Sequence, residues 1–107
     1  MADLPKSIRV GYRDFAVEAW DPLAASGAAC FGEFASMQGV IRLRADLPPQ
    51  ELANTLLHEL MHAMHFTGGI RGGEKSEEDT VVILANQLAQ VWRDNPEFVQ
   101  FMSEALK

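Results

Sequence analysis

The chain has 107 residues, a formal net charge of −6 and 48% apolar residues. That size suits one domain around a single modest core, and the apolar share excludes a disordered chain. The acidic balance argues against nucleic acid or a membrane surface as partner, and no apolar run approaches the roughly 20 residues that cross a bilayer.

The start, MADLPKSIRV, lacks the basic and apolar stretches of a signal peptide. Cys30 is the only cysteine, so no internal disulfide can form. Both features lead to the expectation of a cytoplasmic protein. No repeat or linker divides the chain, and residues 1–107 are read as one domain.

The first half predicts strands. SIRVGYRDFAVEAW carries β-branched and aromatic residues, bounded by Pro5 and by Asp21-Pro22, and reads as two strands broken near Gly11 to Asp14. PLAASGAA is turn-rich and carries no assignment. Phe31 to Ala35 would pair with Val40 to Arg44 around a turn ending at Gly39. Alternation in the second strand would turn Ile41 and Leu43 to the core, Arg42 and Arg44 to water.

The second half predicts helices. Pro48 and Pro49 suit a first helical turn, where a missing N–H costs little. That helix would run from Pro49 to Thr67 and stop at Gly68-Gly69. After the loop GGIRGGEK, Ser76 is placed to cap a second helix, EEDTVVILANQLAQVWRD, with a broad apolar stripe. Asn95-Pro96 would cap a short third helix carrying Phe98, Phe101, Met102 and Leu106. Strands followed by helices predict an α+β fold, with helices on one face of a small antiparallel sheet.

The chemistry concentrates in LLHELMHAMHF, residues 56–66. His58 and His62 are four residues apart, so they share one helix face and can converge on one metal ion. Glu59 follows His58 directly, beside the metal position, where a carboxylate can take a proton from metal-bound water. His58-Glu59-Leu60-Met61-His62 is thus an HExxH pattern, with two ligands and a general base. Short patterns of this kind also arise by chance on ordinary helices. Here Glu51 and Glu59 are the only acidic residues from 51 to 66 and no Lys or Arg occurs. Thr55, His58, Glu59, His62 and His65 therefore read as a polar strip turned inward.

A catalytic zinc takes three protein ligands and keeps one open position. His65 shares the stripe, but seven residues of helix span about 10 Å, too far for one ion to bridge it to His58. It is either a substrate contact or a partly buried histidine. Glu77 and Glu78 open the second helix, and an antiparallel return would bring them near His62. Both also suit the positive end of the helix dipole, and helix periodicity does not choose between them.

TLLHELMHAMHF and SEEDTVVILANQLAQVWRDNP resemble the small gluzincin-type metallopeptidases, among them the ImmA/IrrE-type peptidases and minimal zincin-like proteins of phages. The resemblance covers residues 55–96. Glu78, Val81, Leu84 and Ala85 match the family's Glu-x-x-Ala/Val-x-x-Phe/Leu-Ala spacing. It implies a zincin-like fold and one zinc ion on His58, His62 and Glu78, with Glu59 as base and Glu77 as alternative ligand. Met61 stands where a glycine commonly precedes the second histidine. Tyr12, the only tyrosine, and His65 are the candidates for stabilising an oxyanion.

Cys30 is read as a small buried hydrophobe rather than a nucleophile, Trp20 and Trp92 as core. Arg42 and Arg44 read as charges that protect an edge strand. Three functional expectations follow. One is a zinc metallopeptidase holding an extended peptide or protein substrate against the strand region 31–44. Another is a non-catalytic zinc-binding phage or prophage accessory protein that uses the scaffold to bind a partner. The last is a helix with structural histidines and no metal.

Overall fold

Two hairpins and three helices make up residues 3–21, 31–69 and 77–107, which the computed structural model describes. Strand β1 (Ser7–Val10) turns into β2 (Arg13–Trp20), and β3 (Gly32–Ala35) into β4 (Val40–Arg44). Helices α1 (Pro49–Thr67), α2 (Glu77–Asp94) and α3 (Pro96–Ala105) follow. The turn-rich segment with Cys30, the glycine-rich loop from residue 70 and Ser76 lie outside the described residues.

Local chemistry explains the hairpins. Gly11 and Gly39 sit at φ of 62° and 70°, a backbone region that costs side-chain-bearing residues about 1–2 kcal/mol. The registers Val10↔Arg13 and Ala35↔Val40 close both turns. The sheet order is β1-β2-β4-β3. The α+β expectation holds, but the sheet is not the antiparallel one expected: β2 and β4 run parallel, Ala16 beside Val40 and Trp20 beside Arg44. The sheet is therefore mixed. The most buried strand, β4, takes an inner position, and β3 becomes an edge, with β4 its only strand neighbour among the described residues.

The helices cover one face. Helix α1 lies across β3, β4 and β1 and against α3. Ile8, Val10, Phe15, Ile41 and Leu43 of the sheet meet Leu56, Leu60 and Met64 of α1 and Phe98 and Phe101 of α3. Phe34 joins the layers, edge-on to Phe15 at 5.4 Å and to Phe66 at 6.0 Å. Helix α1 begins at Pro49 and ends where Gly68 N–H donates to the Met64 carbonyl at 2.8 Å, with Gly69 at φ 66°. No helix among the described residues is long and apolar enough to cross a membrane.

Two expectations change. Asn95 does not cap α3 with its side chain. Its amide accepts from Arg9 N–H at 2.7 Å and donates to the Arg9 and Val91 carbonyls. It ties β1 to the end of α2, because a buried amide gains more from three backbone partners than from one helix donor. Trp92 is 54% exposed rather than core. Helix α2 turns Ile83, Leu84 and Val91, with Gln87 and Gln90, to the domain and leaves Trp92 to touch Phe98 edge-on at 6.4 Å.

Candidate metal centre

The register of α1 sets the site. Ala53, Leu56, Leu60, Ala63 and Met64 are buried against the sheet and α3. Residues two positions away point to another side of a helix. His58 and His62 are therefore exposed. Glu59, at the border of the two faces, is only 7% exposed. The imidazole rings lie 4.9 Å apart, inclined by 72°. One ligand atom from each of His58, Glu59 and His62 falls within 4.8 Å of the others, a group that can hold a metal ion. Imidazole nitrogen and carboxylate oxygen are donor types that divalent cations of the zinc class accept.

The inward polar strip is thus only half realised. Thr55 and Glu59 are buried, whereas His58, His62 and His65 face out. The Thr55 hydroxyl donates to the Glu51 carbonyl at 2.8 Å, which satisfies it within the helix. No hydrogen bond links the Glu59 carboxylate to a described residue. Burial pushes the Glu59 carboxyl above its ordinary range; His58 and His62 oppose the shift and Glu33 adds to it.

A cavity of about 280 Å³ opens beside the histidine pair. Phe31 and Gly32 form one wall, and Glu51, Asn54 and Thr55 of α1 form the other, leading to His58 and Glu59. Gly32 makes the groove: a Cβ there would lie 2.8 Å from the Arg42 carbonyl oxygen and 3.0 Å from Thr55 Cγ2. Only glycine lets α1 and the hairpin approach this closely. Glu51 and Asn54 went unread as site residues in the sequence. Their positions seven and four residues before His58 carry the signal, since that spacing keeps them on one face.

The other candidates stand apart. Glu78 is exposed in the first turn of α2 and outside the His58–Glu59–His62 group. Ile83 packs against Gly68, and the Gln87 amide donates to the Met64 carbonyl at 3.4 Å. Glu78, five residues before Ile83, lies about 8 Å further along α2, past the end of α1. The backbone of Glu77 opens α2, and its side chain lies outside the described residues. His65 is exposed one turn beyond His62. Tyr12 is 78% exposed on the β1–β2 turn and does not line the cavity. Arg42 is bound up with Glu33, Glu18 and Gln38 across the sheet.

Residues 6–94 match the peptidase M78 family, described as the IrrE N-terminal-like domain. No curated protein and no solved structure matches the chain.

Proposed function

The chain belongs to the IrrE N-terminal-like domain family of M78 peptidases, and from that premise we propose that it is a zinc-dependent peptidase acting on an extended peptide or protein segment. The observation that carries this reading is the meeting of His58, Glu59 and His62 within 4.8 Å, beside an open cavity. His58 and His62 would hold the ion through imidazole nitrogens. A bound zinc supplies Lewis acidity, polarising the scissile carbonyl and easing ionisation of water. Glu59 accepts the proton from the attacking water at a carboxylate oxygen, holds it, and returns it to the leaving amide nitrogen. Its raised proton affinity suits that shuttle. The free edge of β3 would align the substrate backbone as an added strand.

Glu78 is the third ligand in this reading, with Glu77 as alternative. It rests on the spacing Glu78, Val81, Leu84, Ala85, and it requires the first turn of α2 to move toward His62 when metal binds. Coupling of metal binding to local folding makes such a movement reasonable. The position of Glu78 outside the group favours, as a second reading, a metal-binding module without hydrolysis.

Metal content of the natively purified, untagged chain tests both, with peptide-pool hydrolysis measured alongside. The peptidase reading expects about one zinc per chain, lost in His58→Ala and in Glu78→Ala. It expects hydrolysis that Glu59→Gln abolishes while zinc is kept. Full activity in Glu59→Gln would sink the mechanism. Bound zinc with no cleavage selects the second reading. In chelator at neutral pH, Glu59→Gln should melt no lower than the parent. Burial favours the protonated form in the fold, so the ionised carboxylate costs stability there, and an amide removes that cost.

A further inference from the structure

We propose that the cavity between Phe31 and Glu51 receives a lysine or arginine side chain flanking the scissile bond, with Glu51 as the residue that selects it. This deepens the peptidase reading and rests on it. Clefts for whole small-molecule ligands run from about 300 to 1,000 Å³. A space of about 280 Å³ suits one side chain. Its length also fits. Glu51 and His58 are separated by seven residues of helix, about 10 Å. A fully extended lysine or arginine side chain covers roughly 6 Å from its Cα, from bond lengths near 1.5 Å. With about 3 Å more for the hydrogen bond to the carboxylate, its backbone can lie at the His58–Glu59 end while its cation reaches Glu51.

The walls match an amphipathic side chain in order. Phe31, half exposed, offers a ring face to the methylene stem or to the cation itself. Asn54 adds an amide, and Glu51 a carboxylate exposed in the first turn of α1. No Lys or Arg among the described residues lines the cavity. The basic side chain across the hairpin, Arg42, is engaged by Glu33 and Glu18. Any acid in that first turn would serve the helix dipole on whichever face it stood. Glu51 stands on the face that leads to His58 and Glu59. Glu59, more than nine-tenths buried as a residue, closes the inner end of the same space.

The test has two arms. In the first, the full chain is ¹⁵N-labelled, kept in chelator and titrated with n-butylguanidinium, or with n-butylurea as its neutral counterpart. Amide shifts at Gly32, Asn54 and Thr55 should saturate with the guanidinium. Binding should be about tenfold weaker for the urea and for Glu51→Gln, the difference a charge-assisted hydrogen bond makes. Equal binding of both probes, or no change in Glu51→Gln, overturns the proposal. In the second arm the zinc-loaded chain digests a degenerate peptide library. Lysine and arginine should be enriched on one side of the cleaved bond, and the preference over norleucine should fall about tenfold in Glu51→Gln. Cleavage without that enrichment overturns the proposal and leaves the peptidase reading standing. Preferential guanidinium binding with no cleavage supports the cation subsite and overturns the peptidase reading instead.

Discussion

Helices α1 and α2 have nearly equal length, 19 and 18 residues, and both carry a broad apolar stripe. Their fates differ. Helix α1 buries Leu56, Leu60 and Met64 completely or almost so, whereas α2 buries only Val91 to that degree. Val81, Val82, Leu88 and Trp92 of α2 face outward. The side of α2 that meets the domain is mixed, with Ile83, Leu84 and Val91 beside Gln87 and Gln90. Gln90 accepts from Gly11 N–H at 2.8 Å and donates to the Arg9 carbonyl at 2.9 Å, and Gln87 reaches Met64. One helix is held by apolar area, the other by a smaller apolar contact through Leu84 and Val91 together with amide tethers at its middle and end. A stripe thus identifies a helix without saying which side the rest of the chain will cover. The histidine pair sits on the helix held by area, which gives it a firm base. Glu78 sits on the tethered one, at the end farthest from the tethers.

The largest expected effect tests the firm helix. Leu60→Ala should lose about 2–5 kcal/mol of unfolding free energy, because a fully buried leucine leaves a cavity behind. Urea denaturation reads this, and a loss below about 1 kcal/mol would mean that α1 is not packed as described. The tethers come next. Asn95→Ala strands the Arg9 N–H, removes the Val91 carbonyl's side-chain partner and leaves Gln90 as the side-chain donor to the Arg9 carbonyl, and should cost about 1–3 kcal/mol. A neutral result would break the account of α2 as tethered by polar groups. The smallest effect belongs to the outer face. Val81→Ser should change stability by no more than about 0.5 kcal/mol, as surface substitutions do. A larger loss would show that the apolar face of α2 is covered in solution, and the contrast between the helices would disappear.

Much of the fold is legible along the chain because its signals are local. Gly11 and Gly39 place both hairpin turns, Pro49 and Gly69 bound α1, and the 2-residue alternation of β4 assigns Ile41 and Leu43 to the core. The pair His58 and His62, with Glu59 beside it, follows from helix geometry alone, and the structure gathers those three. The exposure of the histidines was not legible, because it depends on where the sheet meets α1 around its axis.

The sequence by itself determined the elements, their ends and the spacing of the histidine helix, since each rests on contacts within a few residues. Tertiary structure alone decided the parallel pairing of β2 with β4, the exposure of Val81, Val82, Leu88 and Trp92 from α2's apolar stripe, and the approach of Gly32 to Thr55 that opens the cavity. These depend on segments far apart in the chain. Burial of β4 between two neighbours and the amide tethers of Gln87, Gln90 and Asn95 outweigh what any local pattern prefers.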